Sequence, residues 1–92
     1  MFEFDLEDKL KFILKKLAKK DKKKFEIINK KMKEISFSTP ESIQHYKNLK
    51  YDLKELKRVH IDSNFVLTFK VDIKNNFILF VDLDHHDNIY KK

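Results

Sequence analysis

The sequence predicts an α+β fold in which an N-terminal helical hairpin packs on one face of a small antiparallel β-sheet. Three observations carry that prediction. Apolar residues recur at three- and four-residue steps from Leu6 to Ile35, the period falls to two beyond Arg58, and clusters of Asp, Ser and Asn divide the second half into strand-length pieces. The 92 residues show no internal repeat or low-complexity tract and are read as one domain, 1–92.

The elements follow in order. Phe2-Glu3-Phe4-Asp5 alternates apolar and polar residues, which suits a short first strand. Leu6, Leu10, Ile13, Leu14 and Leu17 then fall on one helical face, with Lys15, Lys16, Lys19 and Lys20 opposite. Asp21 is placed to cap a second helix with the stripe Phe25, Ile28, Met32 and Ile35, so two helices joined near Asp21 form an antiparallel hairpin. Thr39-Pro40-Glu41-Ser42 combines a capping residue with proline at the first helical position and predicts a short third helix running toward His45 or Tyr46. After a linker around residues 48–53, Val59 and Ile61 alternate with Arg58, His60 and Asp62. Strands at 65–71 and 77–81 complete an antiparallel meander, with turns at 62–64 and 74–76. Glycine is absent, so tight turns must draw left-handed backbone from Asn or Asp.

Composition narrows the functional classes. With no cysteine, disulfides and Cys-based zinc sites are excluded. No run approaches the roughly 18 apolar residues of a membrane span, and Met1-Phe2-Glu3-Phe4-Asp5 lacks the basic start of a signal peptide, so a cytoplasmic protein without a membrane partner is expected. Charge is uneven: residues 1–37 carry 12 Lys against 7 acids, and residues 38–92 carry 9 basic against 8 acidic residues. Such a basic front half attracts phosphates or an acidic partner, although lysine runs on helices are more often simply solvated.

The chemistry-bearing residues gather in two places, Arg58-Val59-His60-Ile61-Asp62 and Asp84-His85-His86-Asp87, the second followed by Tyr90. Imidazole titrates near neutrality without perturbation, so histidines at strand ends suit proton transfer at pH 7, and the pattern points to acid/base chemistry on RNA. By alternation Arg58 and His60 share the sheet face away from the helices, and residues 82–90 are expected to fold back across its end. A lone strand histidine more often only hydrogen-bonds at a surface. The His-His-Asp run lacks the helical His-x-x-x-His or paired-Cys spacing of a metal site, so no metal and no cofactor are assigned.

The helical hairpin followed by a meander, the segment Lys57-Arg58-Val59-His60-Ile61-Asp62-Ser63-Asn64-Phe65-Val66-Leu67, and a histidine four residues before Tyr90 together resemble the RelE/ParE superfamily of toxins. Within it the resemblance is to YafQ-type mRNA interferases. It implies a RelE-like fold, a toxin of a type II toxin–antitoxin system, cleavage of mRNA on the translating ribosome, and inhibition by a cognate antitoxin. By position, His60 corresponds to a catalytic histidine on a strand, Asn64 to an aspartate in the following turn, and His86 to the C-terminal catalytic histidine. Phe65 and Tyr90 match neighbouring aromatic positions. The family's upstream histidine falls on Lys47 without a gap and on His45 with a two-residue insertion, and both remain open. Asn64 departs from the pattern because an amide cannot take a proton as a carboxylate does.

The resemblance implies metal-independent transesterification. His60 would act as base or orient the 2′-hydroxyl, Arg58 and Lys47 would hold the phosphate, and His86 would be the acid, kept protonated by Asp84 and Asp87. Phe65 and Tyr90 would stack on bases. Two alternatives stand beside this: a ParE-like toxin that binds DNA gyrase and needs no histidine pair, and a small basic RNA-binding module. Retention of both His60 and His86 favours the nuclease.

Overall fold

Residues 1–49, 55–85 and 88 are described by the structure, a computed structural model. Among them the elements run β1 (Glu3–Leu6), α1 (Asp8–Lys20), α2 (Lys22–Ser36), α3 (Pro40–Ile43), β2 (Lys57–Ile61), β3 (Phe65–Asp72) and β4 (Phe77–His85). The expected helical hairpin, short third helix and meander are all present. Part of the linker expected at 48–53 lies outside the described residues.

Local chemistry explains the helix boundaries. The Asp21 side chain accepts from the Lys24 N–H at 3.0 Å and starts α2 one residue after α1 ends. Asp8 in the first turn of α1 and Lys19 and Lys20 in its last complement the helix dipole. Thr39 and Ser42 cap α3 reciprocally, with Pro40 in its first turn. Replacing Asp21 with Ala removes the acceptor at the hairpin's corner and is expected to cost about 1 kcal/mol of stability, readable as a lower denaturant midpoint at unchanged slope.

The sheet order is β1-β4-β3-β2. β2, β3 and β4 pair antiparallel, whereas β1 joins β4 in parallel, so the sheet is mixed rather than wholly antiparallel. A strand that runs straight into a helix cannot fold back as a hairpin. It reaches a parallel neighbour only through a long crossover, here the rest of the chain. The start of β1 is clamped: the Phe2 N–H donates to the Ser36 carbonyl at 2.7 Å, the Glu3 N–H to that of Asn76 at 3.0 Å, and the Asn76 side-chain amide to that of Met1 at 2.8 Å. Leu6, which fits the helical stripe by spacing, instead ends β1 opposite Phe80.

β4 runs four residues beyond the strand expected from the sequence, so 82–85 extend the sheet rather than fold back across it. The cause is a bulge. Thr68 faces Asp82 while Phe69 faces Phe80, leaving Val81 as an extra residue. The bulge lets Phe80 and Leu83, three apart, both face the helices, which a strict period of two forbids. The two positive-φ residues described, Asp62 at 48° and Asn76 at 55°, sit in the two turns and supply the left-handed backbone that glycine would otherwise give.

The core lies between sheet and hairpin. Leu10 and Leu14 of α1 and Ile28, Met32 and Ile35 of α2 meet Leu67, Phe69, Ile78 and Phe80, all buried. Burying each such side chain contributes roughly 1.5–3 kcal/mol, and this one-sided core leaves the sheet's outer face to carry other residues.

Candidate active site

Strand register decides which functional side chains can meet. Residues directly opposite one another share a face, and successive rows alternate between faces. Across β2, β3 and β4 the rows are Ile61–Phe65–His85, His60–Val66–Asp84, Val59–Leu67–Leu83 and Arg58–Thr68–Asp82. The first and third face the helices. The second and fourth face outward, so His60 and Arg58 share the outer face, as alternation predicts.

Lys47 joins them. The Arg58 N–H donates to the Lys47 carbonyl at 2.9 Å, the Leu49 N–H to that of Leu56 at 2.8 Å, and Asn48 bridges antiparallel to Lys57. That pattern sets Lys47 directly opposite Arg58, on the same face. Lys70 stands diagonal to Arg58 across β3, a separation of about 7–8 Å between such positions. Sequence reasoning missed Lys70, although the alternation of Val66, Thr68 and Lys70 was there to find it. The outer face therefore carries Lys47, Arg58, His60 and Lys70 toward β2, and Asp82 and Asp84 on β4. Its middle is not a bare platform, because Val66 and Thr68 are buried.

His45 is placed elsewhere. It is exposed and lines an open cleft of about 350 Å³ with Glu34, Ser38, Ser42 and Tyr46. Tyr46, between the two candidates for the upstream position, turns its ring edge-on to Phe69 at 5.6 Å. Its carbonyl and the Asn48 side chain accept from the Lys57 ammonium at 3.0 and 3.1 Å, where burial holds that amine below the usual lysine range.

Phe65 and His85 lie on the helix side. Their rings meet edge to face at 5.7 Å, and the Lys24 ammonium sits 4.3 Å from the Phe65 ring centre. Phe65 is thus not brought beside His60, since the odd-numbered positions of β3 point at the helices. Asp62 also leaves the outer face. The strand ends at Ile61, the left-handed turn reverses the chain, and the Asp62 carboxylate reaches Lys24 at 3.5 Å. Asp62 accepts from the Asn64 N–H at 2.9 Å, which, with Lys24, holds its carboxyl below the usual range. Asn64 itself is exposed in this turn. His86, Asp87 and Tyr90 lie outside the described residues.

Two carboxylates mark the β4 side. Asp82 pairs with Lys9 at 3.1 Å, along the stretch of β4 that extends past β1. Asp84 accepts from the Asn88 side chain at 3.0 Å and the His85 N–H at 2.7 Å. These bonds, Asn88 first, outweigh partial burial and hold its carboxyl below the usual range. A depressed folded pKa stabilises the fold above the unfolded value, near pH 4, and is lost as pH falls through the folded value. Asp84→Asn is therefore expected to flatten the fall in melting temperature below about pH 4 while leaving stability at pH 7 lower, checked by thermal melts across pH. Among the described residues no group of three or more His, Cys, Asp or Glu is arranged to hold a metal.

In chemical terms, the β2 edge offers an imidazole beside two or three cations at the spacing of neighbouring strand positions. That arrangement can hold a phosphodiester and move a proton next to it.

No protein-family model matches the sequence. The chain is 53% identical over 92 residues to "Putative toxin RelE4" of Methanocaldococcus jannaschii, covering 100% of this chain and 94% of that protein. In fold it is similar to a metal-bound toxin from Helicobacter pylori, with a TM-score of 0.74 at 21% identity over 98% of this chain and 100% of that one. YafQ of Escherichia coli follows at 0.71 and 15%, covering 98% and 99%, and the DinJ–YafQ complex of the same organism at 0.64 and 13%, also covering 98% and 99%. The chain belongs to the RelE/ParE superfamily of toxins of toxin–antitoxin systems. Within it, the fold stands close to YafQ. No helix among the described residues is long and apolar enough to cross a membrane.

Proposed function

We propose that the protein is a ribosome-dependent endoribonuclease that cleaves mRNA without a metal, and that a cognate antitoxin holds it inactive. The observation that supports this most is the convergence of Lys47, Arg58 and His60 on one face of the sheet at the β2 edge, in a chain of RelE descent. His60 takes the proton of a ribose 2′-hydroxyl as its oxygen attacks the adjacent phosphorus. Arg58 and Lys47 stabilise the charge on the phosphorane, and His86 gives a proton to the 5′-oxygen as its bond to phosphorus breaks. The products are a 2′,3′-cyclic phosphate and a 5′-hydroxyl. Asn64 hydrogen-bonds the RNA rather than carrying a proton, and Tyr90 stacks on a base. His45, on this reading, is not in the catalytic group, because Lys47 has its place opposite β2.

The antitoxin reading draws on the DinJ–YafQ complex among the similar folds and on the basic character of residues 1–37. Action on translating ribosomes places the protein in the cytoplasm. The test is inducible expression with mapping of mRNA 5′ ends: growth arrest with new cuts inside translated frames supports the proposal. Arrest without cuts points instead to a gyrase-binding, ParE-like toxin.

A further inference from the structure

Lys57 is tied down more closely than any cation of the outer face, yet the chemistry proposed for RNA gives it nothing to do. It opens β2 opposite Phe69, in a row that faces the helices, while its neighbour Arg58 faces outward. Its side chain crosses to the segment that follows α3 and donates to the Tyr46 carbonyl at 3.0 Å and to the Asn48 side-chain oxygen at 3.1 Å. Those two acceptors stand on either side of Lys47.

This is a costly place for a lysine. Burial works against the charged form, and among the described residues no carboxylate pairs with it. What an ammonium supplies here is three donors on a flexible four-carbon stem, able to serve two acceptors at once, with bonds roughly twice as strong as those of a neutral amide.

The segment needs that help at one point. Packing fixes where it lies, since the Tyr46 ring meets Phe69 edge-on at 5.6 Å and Leu49 is buried. Two backbone bonds tie it to β2, from the Arg58 N–H to the Lys47 carbonyl and from the Leu49 N–H to the Leu56 carbonyl. Neither holds the peptide between Tyr46 and Lys47, whose carbonyl instead takes its bond from the Lys57 ammonium. Turning that peptide swings the Cα–Cβ bond of Lys47, and the long side chain carries the error to its tip. A misplacement of about 1 Å at a reacting group can cost up to about a hundredfold in rate.

We infer that Lys57 is a positioning residue for Lys47: from the helix side it holds the Tyr46 carbonyl and the Asn48 side chain so that Lys47 stands on the outer face beside Arg58, ready for the phosphate. Two consecutive residues of β2 thereby set both cations, Arg58 by reaching outward itself and Lys57 by fixing its partner across the bridge. Lys57 does this without touching RNA, because its ammonium is engaged on the other face. For its effect on rate this rests on the RNA-cleaving reading of the site, whereas its effect on the segment does not.

The test uses the full chain and two readouts. In single-turnover cleavage on programmed ribosomes, Lys57→Met is expected to slow the reaction about tenfold, and no more than Lys47→Met does. Added to Lys47→Met it should cost nothing further, and Lys57→Arg should recover most of the rate, because a guanidinium also has donors for both acceptors. An equal loss from Lys57→Met with and without Lys47 would mean a general effect of fold or charge and would overturn the inference, as would no loss in the wild-type background. The second readout needs no RNA. In Lys57→Met the Arg58 and Leu49 amides, which tie the segment to β2, should exchange with solvent deuterium several-fold faster, while the amides between β3 and β4 keep their protection. Unchanged exchange at Arg58 overturns the inference whether or not RNA is cut. If the wild type cuts no RNA, the proposed function fails and exchange alone decides. Circular dichroism verifies the fold, and Lys57→Gln, a neutral amide too short to serve both acceptors, takes the place of Lys57→Met if that variant does not fold.

Discussion

Replacing His60 with Ala is expected to lower mRNA cleavage by about 10²–10⁴-fold and to abolish growth arrest, the scale of a lost general base. The fold should survive, because the side chain is exposed on the outer face and the pairing of β2 with β3 is carried by the backbone. Equal amounts of soluble protein and superimposable circular dichroism spectra would verify this. The loss should fall on the chemical step: single-turnover cleavage on programmed ribosomes slows, while ribosome binding holds. If both proteins arrest growth alike and no new 5′ ends appear, the toxin acts by binding, as a ParE-like protein does. If the wild type cuts and His60→Ala cuts equally, His60 is a surface histidine and the base lies elsewhere.

How far the sequence foretold this site depends on which physical signal placed each residue. Arg58 and His60 were assigned a common face by alternation, a local rule, and register on β3 bears that out. The turns were legible because a chain without glycine has few residues able to adopt positive φ, and Asp62 and Asn76 do so. What alternation cannot see is a change of phase. The extra residue Val81 shifts the far half of β4, so the strand continues to His85 where the periodicity breaks off. His85 then faces the helices beside Phe65, whose own direction follows the plain alternation of Phe65, Leu67 and Phe69 and whose ring meets Lys24. The choice between His45 and Lys47 was likewise closed to local reasoning. It turns on the bridge between Asn48 and Lys57, two residues nine apart, which sets Lys47 against Arg58. The parallel placement of β1 belongs to the same class, since its partner lies some seventy residues away.

Removing the charges of Arg58 and Lys47 together, as Arg58→Met with Lys47→Met, is expected to reduce cleavage by about 10²–10³-fold, the scale seen when a preorganised donor to a developing oxyanion is lost. Methionine keeps most of the apolar stem that the half-buried Arg58 lays on the sheet, so a loss of activity cannot be put down to lost packing. Arg58→Lys should recover only part of the rate, because an ammonium cannot offer two parallel donors to a phosphate. Salt separates a phosphate-binding role from a structural one. Each cation in contact with single-stranded RNA contributes roughly 0.7 to the slope of log affinity against log salt, so the double variant should flatten that slope by about 1.4. A structural role would weaken binding and leave the slope alone. The same pair bears on the proposed dependence on the ribosome. With Lys47 rather than a histidine opposite Arg58, the site gains charge but has no imidazole at that position, and on the proposed mechanism the ribosome's grip on the message would align the 2′-hydroxyl. Cleavage of a deproteinised transcript should therefore be slow in the wild type, and efficient cutting of naked RNA by the purified protein would contradict this account of the mechanism.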